Sequence, residues 1–132
     1  PISREDYAGY ATLRNQIPFS RINTGEYLDF SGQRRLLECG GVDVLNLRPP
    51  ISAMRAAAHL AGDFGIPTAM GNTILEIGVH VAASLPECAF LEYSDLPWNK
   101  LALEPIAFED GWAIAPDRPG HGIELNRDAL AR

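Results

Sequence analysis

The sequence has few cysteines. Its only two, Cys39 and Cys88, lie far apart in the chain, a spacing that fits neither a zinc-binding pair nor a CxxC redox motif. Two cysteines are also too few to form a disulfide framework in a chain of 132 residues. We therefore expect two free thiols in a reducing, cytoplasmic environment.

Positive charge is also scarce, since 11 Lys and Arg stand against 17 Asp and Glu, a net charge of −6. Phosphate binding needs a basic surface, so this balance argues against nucleic acid as a partner. No apolar run approaches the roughly 18–20 residues of a membrane span, and no signal-peptide pattern is present. Hydrophobic residues make up 46% of the chain, which is enough to bury the core of about one domain.

Short β-prone runs recur along the chain at residues 17–22, 42–47, 66–70 and 89–93. One position from each run gives an even spacing of about 23 residues, enough for a strand, a loop and a helix, at Ile22, Leu45, Thr68 and Leu91. Apolar patterns predict helices in between, at about 29–39, 52–64 and 73–84, and one more before the first run, at about 3–16. Ser52 is the expected N-cap of the helix at 52–64, and Ser3 with Asp6 resembles a capping box for the helix at 3–16. This alternation predicts an α/β fold with parallel strands, either a (β/α) barrel or a doubly wound sheet.

The end of the chain does not repeat this pattern. Residues 106–108 and 112–114 flank an Asp110-Gly111 pair, which is a strong signal for a β-hairpin. Asn126 can cap a short final helix over 127–131. We therefore divide the chain into residues 1–105, with about four βα units, and residues 106–132, a hairpin and tail.

Polar residues follow each predicted strand, at the edge where parallel α/β folds bind ligands. They are Glu26 after the first strand, Arg48 after the second, Asn72 and Glu76 after the third, and Glu92, Tyr93 and Asp95 after the fourth. One interpretation is a solvated polar rim, because strand-to-helix loops are usually polar. The other is a functional site, favoured because Glu92 follows directly on two apolar residues and should point into or over a barrel.

The residue types in this set suit carboxylate chemistry supported by a hard cation. Mg²⁺ takes carboxylate oxygens together with substrate oxygens and waters, but Glu26 alone cannot hold it. Arg48 can clamp a substrate carboxylate through two parallel hydrogen bonds and, being always protonated, is a poor general base. Glu92 can donate a hydrogen bond to a developing enolate if burial keeps its carboxyl protonated.

Five phrases in this order resemble the C-terminal half of the barrel domain of the enolase superfamily, of the mandelate racemase and muconate lactonizing enzyme type. They are residues 23–26 (NTGE), 41–47 (GVDVLNL), 56–61 (AAAHLA) leading to 65–67 (GIP), 90–93 (FLEY) and 119–124 (PGHGIE). The resemblance covers essentially the whole chain. It implies a (β/α) TIM-like barrel, with residues 106–132 returning toward an N-terminal capping domain.

The resemblance also implies a mechanism. Such enzymes bind Mg²⁺ through three acidic residues on successive strands, abstract the proton α to a carboxylate and stabilise the enediolate on the metal. Glu26 falls on the third metal ligand, and Glu92 on the acid that ends the last strand. Arg48 and Glu92 are thus our candidate catalytic residues, and the candidate contacts to the substrate are Arg48, Asn72, Glu76 and Tyr93. A homo-oligomer is also implied.

Departures from the family pattern concern the general base. Racemases and sugar-acid dehydratases of this type carry an Asp and a His where this chain has Arg48 and Gly71 or Asn72. Muconate-lactonizing relatives carry a Lys at the position of Arg48. Neither base is at its usual position, so a base would come from an earlier strand of the family's barrel, where the family places a Lys.

We therefore expect a portion of a sugar-acid dehydratase or, second, a racemase or epimerase, acting on a small carboxylate. The alternative is a non-catalytic or fragmentary member that only binds a carboxylate or assembles. A chain that begins with Pro1 and has four predicted strands, where a barrel needs about eight, is expected to be a fragment. Its exposed strand edges predict that it is inactive alone.

Overall fold

A computed structural model describes residues 2–48, 50–71, 75–93 and 100–131, with only the backbone of residues 75 and 76. Helices and strands alternate along most of the chain, as the repeat predicts. In order they are α1 (Tyr7–Gln16), β1 (Asn23–Thr24), α2 (Phe30–Glu38), β2 (Val44–Leu47), α3 (Ile51–Asp63), β3 (Thr68–Met70), α4 (Leu75–Ala83), β4 (Cys88–Leu91), β5 (Ala107–Glu109), β6 (Trp112–Ile114) and α5 (Arg127–Leu130).

Strands β1 to β4 form one parallel sheet in the order β1-β2-β3-β4. Leu45 in β2 pairs with Thr68 on one side and with Thr24 on the other. The strand ends Leu47, Met70 and Leu91 lie side by side. The α/β class with a parallel sheet is therefore confirmed, whereas closure of this sheet into a barrel stays a prediction.

The main core lies between this sheet and the helices. Leu45 and Leu47 of β2 are fully buried there and pack with apolar side chains of α2 and α3, namely Leu36, Leu37, Met54, Ala57, Ala58 and Ala61. Because side chains alternate along a strand, Val44 and Asn46 of β2 lie on the opposite face of the sheet. Asn46 is thus a polar residue on the face that the helices do not cover.

The first strand is shorter and later than predicted. Residues 17–21 form a turn, in which the Ser20 N–H donates to the Ile17 carbonyl at 3.1 Å, and Phe19 is 87% exposed. Pro18 lacks a backbone donor, which disfavours a sheet at this position. Backbone pairing begins only at Ile22, whose carbonyl accepts hydrogen bonds from the N–H groups of Asp43 and Val44.

Helix starts follow the sequence signals only in part. Asp29 caps α2 by accepting a hydrogen bond from the Gly32 N–H at 2.7 Å. The N-cap of α1 is Asp6 alone, so the capping box predicted for Ser3 with Asp6 is wrong. Ser52 is also not the N-cap of α3, because that helix begins at Ile51.

Asp43 joins three segments at the amino edge of the sheet. Its carboxylate accepts hydrogen bonds from Arg14 Nε at 2.6 Å and from the Ile22 N–H at 2.8 Å. Burial opposes ionisation, but these donors outweigh it and lower the pKa of Asp43 below its ordinary value. Asp43 is therefore a structural residue.

The tail forms the predicted hairpin and final helix. Strands β5 and β6 are antiparallel and joined by Asp110 and Gly111, both with positive φ, as a two-residue hairpin loop requires. Asn126 caps α5 by accepting from the Ala129 N–H at 3.2 Å. The division at residue 105 stays a prediction.

Two other sequence expectations concern the described residues. Cys39 and Cys88 are both free thiols. None of the helices in the described ranges is long and apolar enough to cross a membrane.

Candidate active site at the carboxyl edge of the sheet

The carboxyl edge of the parallel sheet carries the candidate residues. Arg48 follows Leu47 directly, Gly71 follows Met70 and Glu92 follows Leu91, so these three residues continue neighbouring strands in register. Glu26 follows β1 by one intervening glycine. Asn72 and Asp95 lie outside the described residues, as does the side chain of Glu76, so the predicted contacts of Asn72 and Glu76 with substrate stay predictions.

A fixed turn places Glu26. Gly25 has φ +116°, and a Cβ there would lie 2.7 Å from Leu45 Cδ1, so both conformation and space require glycine. The Gly25 carbonyl accepts hydrogen bonds from the Leu28 N–H at 3.1 Å and from Gln33 Nε2 at 3.2 Å. Gln33 is buried, so α2 fixes the backbone of Gly25, the residue before Glu26, through this hydrogen bond.

Glu26 and Asn46 line one small cavity of about 120 Å³, with Arg4 and the residues around β1. Glu26 is half-buried, and Asn46 is only 8% exposed. Asn46 Oδ1 has no hydrogen-bond partner among the described residues. The β1 and β2 ends therefore bring a carboxylate and a buried amide oxygen to the same cavity.

Glu26 and Arg48 border a second cavity of about 160 Å³, next to the first. The Arg48 guanidinium lies over the ring of Tyr27, with Cζ 4.8 Å from the ring centroid. This distance is within the range of a cation–π interaction. The structure thus brings the predicted metal ligand and the predicted carboxylate clamp to one cavity.

Glu92 and Tyr93 lie at the other side of the sheet. With strands about 4.8 Å apart, β4 lies roughly 14 Å from β1 along the sheet. The Glu92 N–H donates to the Met70 carbonyl at 2.8 Å, and its side chain is exposed in the described chain. By the alternation of β4, Glu92 shares a sheet face with Phe90, which is 57% exposed. Its catalytic role stays a prediction.

Tyr93 contacts the hairpin. Its ring packs on Phe108 with centroids 4.5 Å apart, and both residues line an apolar cavity of about 540 Å³ together with Trp112. This cavity is separate from the two that Glu26 borders. The structure therefore gives Tyr93 a packing contact and does not bring it to Glu26 or Arg48; its contact with substrate stays a prediction.

The oxygen atoms at the β1 and β2 ends fit a hard cation in part. Glu26 Oε2 and Asn46 Oδ1 are the kind of donor that Mg²⁺ takes, and a buried amide oxygen without a partner is suited to bind one. In the described ranges no three His, Cys, Asp or Glu side chains form a group that could hold a metal. The described residues thus supply two of the oxygen ligands that an octahedral Mg²⁺ site needs.

Three residues of the site were not predicted: Gln33, Asn46 and Tyr27. Gln33 is a polar residue among the inward-facing leucines of α2, and Asn46 interrupts the apolar run of β2. Such interruptions of an apolar pattern are a signal that sequence reasoning can use. Nothing in the sequence indicates the stacking of Tyr27 on Arg48, because it depends on how two loops meet.

Comparison with known proteins matches residues 1–129 to the model of a family described as enolase C-terminal domain-like. The chain is 36% identical over 110 residues to D-xylonate dehydratase of Haloferax volcanii. The aligned region is 75% of this chain and 27% of that protein. The match therefore includes less than a third of the relative.

Solved structures show the same fold. A protein of Mesorhizobium loti provisionally named a mandelate racemase is 46% identical, with a TM-score of 0.90 over 99% of this chain and 35% of its own. L-talarate dehydratase from Polaromonas sp. JS666, solved with Mg and L-glucarate, is 28% identical with a TM-score of 0.83, over 99% of this chain and 37% of its own. The chain thus spans about a third of the structures it matches.

Proposed function

Because this chain belongs to the enolase C-terminal domain-like family, we propose that it forms part of an active site that removes the proton α to a carboxylate. The overall reaction we favour is dehydration of a sugar acid, with racemisation or epimerisation second. The names of relatives, a D-xylonate dehydratase and an L-talarate dehydratase, support the substrate class. One observation carries the proposal: Glu26 and Arg48, which are opposite in charge, border the same cavity at the carboxyl edge.

Glu26 has the role of cation ligand in this proposal. Its carboxylate follows a turn fixed by Gly25 and held by Gln33, so the oxygen atoms need little reorganisation on binding. When bound, Mg²⁺ would neutralise negative charge that develops on the substrate carboxylate as the α-proton leaves. An L-talarate dehydratase of the same fold holds Mg together with a sugar diacid, which supports this choice of metal.

Arg48 binds the substrate carboxylate. A guanidinium offers two parallel N–H donors that match a carboxylate, and it stays charged throughout. Tyr27 restricts the orientation of this group by stacking against it. Because Arg48 cannot accept a proton, it serves binding and charge stabilisation, and the general base is another group.

Glu92 lies on the other side of the sheet from this pair, since β4 is roughly 14 Å from β1 along the sheet. We therefore do not assign it to the same cation as Glu26, but a substrate of several carbon atoms can extend between them. We assign it the role of hydrogen-bond donor or acceptor at the far end of the substrate. The site would then hold the substrate between Arg48 on β2 and Glu92 on β4.

The test is exchange of the α-hydrogen of candidate acids in ²H₂O, on the protein expressed from its complete gene, with and without Mg²⁺. We expect Mg²⁺-dependent exchange on at least one sugar acid of a broad panel, detected by NMR. Absence of exchange across the panel, with folded and metal-loaded protein, would refute the proposed activity.

A second candidate function is binding of a carboxylate without catalysis. Arg48 favours it, since a permanently charged group stands at a strand end where related enzymes of this type carry a base. Calorimetry with the same panel separates the two: an acid that binds with no exchange of its α-hydrogen supports this second function.

A further inference from the structure

Asn46 is a buried polar residue with an unsatisfied oxygen. It lies in β2 between Leu45 and Leu47, which face the helices, so its side chain is on the opposite face. The residue is 8% exposed, and Oδ1 has no hydrogen-bond partner among the described residues. A buried acceptor without a partner costs about 1–3 kcal/mol, so its retention needs an explanation.

The neighbours of Asn46 Oδ1 are oxygen atoms. A Cβ built on Gly71 would lie 3.2 Å from Asn46 Oδ1 and 3.5 Å from Glu26 Oε2, so both oxygens lie close to the same point. The Leu47 carbonyl is also 3.2 Å from that point, but it already accepts a hydrogen bond from the Gly71 N–H. Gly71, directly after β3, thus leaves open a small space that faces a carboxylate and an amide oxygen.

Two oxygen acceptors this close to each other, Glu26 Oε2 and Asn46 Oδ1, are stabilised when a hydrogen-bond donor or a cation binds between them. Carboxylate and amide oxygens are both ligands of hard divalent cations. We propose that Asn46 Oδ1 is a second oxygen donor, beside Glu26, to the divalent cation of this site. This inference rests on the proposed function for the cation itself, and it adds a residue that the family resemblance does not assign.

The experiment measures Mg²⁺ affinity by calorimetry, on the protein expressed from its complete gene. Asn46→Leu keeps the size of the side chain and removes the oxygen; we expect Mg²⁺ to bind about 10–100-fold more weakly, as for loss of a group that supports a metal ligand. Without metal, the melting temperature of this variant should be unchanged or higher, because an unsatisfied oxygen is removed.

Thr68→Val is the matched control. It also removes an oxygen of a fully buried side chain, from the neighbouring strand but at the start of β3, away from Glu26. We expect its Mg²⁺ affinity to equal that of the wild type. Equal losses of affinity in Asn46→Leu and Thr68→Val would overturn the proposal, because a general weakening of the sheet would then explain both.

Asn46→Asp separates coordination from a hydrogen bond to Glu26. If the amide oxygen coordinates the cation, a carboxylate oxygen in its place should bind Mg²⁺ at least as tightly as the wild type. If instead the amide N–H₂ group only positions Glu26 by donating to it, neither Leu nor an ionised Asp can replace that donor, so affinity would fall in both variants. Loss of affinity in Asn46→Asp therefore contradicts coordination by Oδ1.

Failure of this inference differs from failure of the proposed function. If the wild type binds Mg²⁺ and Asn46→Leu binds it equally well, Asn46 is not a ligand, whereas the proposed cation site stands. If the wild type binds no Mg²⁺ at all, both are wrong.

Discussion

The guanidinium of Arg48 lies 4.8 Å over the ring of Tyr27, and the two residues come from the loops that follow neighbouring strands β2 and β1. Tyr27 also follows Glu26 directly in the sequence. The ring therefore links the orientation of the carboxylate clamp to the turn that carries the cation ligand. This contact makes Tyr27 a positioning residue in the proposed site.

Replacing Tyr27 by Leu should weaken binding of the substrate carboxylate. An exposed cation–π contact contributes about 0.5–1 kcal/mol, so we expect the KM for the acid, or the Kd of an unreactive analogue, to rise about 2–5-fold. Tyr27→Phe keeps the aromatic face and should bind like the wild type.

Phe30→Leu is the matched control for this substitution. Arg34 lies 5.9 Å over the Phe30 ring in α2, so the variant removes a similar contact outside the cavities that Glu26 borders. Unchanged binding in Tyr27→Leu, or the same loss in Phe30→Leu, would show that the Tyr27 ring does not position Arg48.

Gly71→Ala should close the space between Asn46 and Glu26. The added methyl would be 3.2 Å from Asn46 Oδ1 and the Leu47 carbonyl, a contact that requires small shifts. We expect Mg²⁺ affinity to fall at least several-fold, with a stability loss of about 1 kcal/mol from local overpacking. Denaturant titration and calorimetry measure the two effects.

Gly78→Ala is the corresponding control in α4. Among the described residues, a Cβ there meets only Leu91 Cδ1, at an ordinary 3.5 Å, and alanine is favoured in a helix by about 0.5–1 kcal/mol. This variant should keep Mg²⁺ affinity and gain stability. An unchanged affinity in Gly71→Ala would contradict the idea that this space holds the cation or its ligands.

Asp43→Asn should change the pH dependence of stability. The pKa of Asp43 is lower in the folded state than its ordinary value, so the unfolded chain takes up its proton at the higher pH. The stabilisation is therefore present above about pH 4 and is lost as pH falls through the folded-state pKa. At pH 7 we expect the variant to be about 1–2 kcal/mol less stable, in line with a partly exposed charged hydrogen bond.

Denaturant titrations from pH 7 to pH 3 measure this difference. It should shrink toward pH 3, and Asp63→Asn, at an exposed aspartate in the last turn of α3, should show little difference at either pH. A loss in Asp43→Asn that is equally large at both pH values would rule out the ionised carboxylate as its source.

The two thiols should differ in reactivity. Burial raises the pKa of the Cys88 thiol, which also donates a hydrogen bond to the Phe90 carbonyl at 3.4 Å, whereas Cys39 is exposed. Because the thiolate is the reactive form, iodoacetamide at pH 8 should alkylate Cys39 first. Peptide mass spectrometry over a time course measures both sites, and equal rates would contradict the burial of Cys88.

The sequence predicts the parallel order of β1 to β4 because apolar runs and helical patterns alternate along residues 1–105. It misplaces β1, because residues 17–22 are β-prone in composition. Pro18 disfavours a strand there, and backbone pairing begins only at Ile22, where the Asp43 carboxylate accepts a hydrogen bond from the Ile22 N–H. Local β-propensity cannot predict the contact between Ile22 and Asp43, because these residues lie far apart in the sequence.

Arg48 is predictable because it follows the apolar strand β2 directly, and Glu26 because it follows β1 after one glycine. Strand ends of a parallel sheet share one edge, so the two residues border one cavity. Asn46 and Tyr27 require the structure. The role of Asn46 depends on Gly71, which follows the next strand, and that of Tyr27 depends on the shape of a loop. For Tyr93, the adjacent hairpin supplies a packing partner in Phe108 that the spacing of residues does not indicate.

The most direct test of the account is the Mg²⁺ dependence of α-hydrogen exchange in wild type and Glu26→Gln, on the sugar acid that exchanges fastest. Removing the charged ligand should raise the Mg²⁺ concentration for half-maximal exchange at least 10-fold, with far-UV circular dichroism unchanged. An identical Mg²⁺ dependence in the two proteins would contradict the assignment of Glu26 and with it the proposed site.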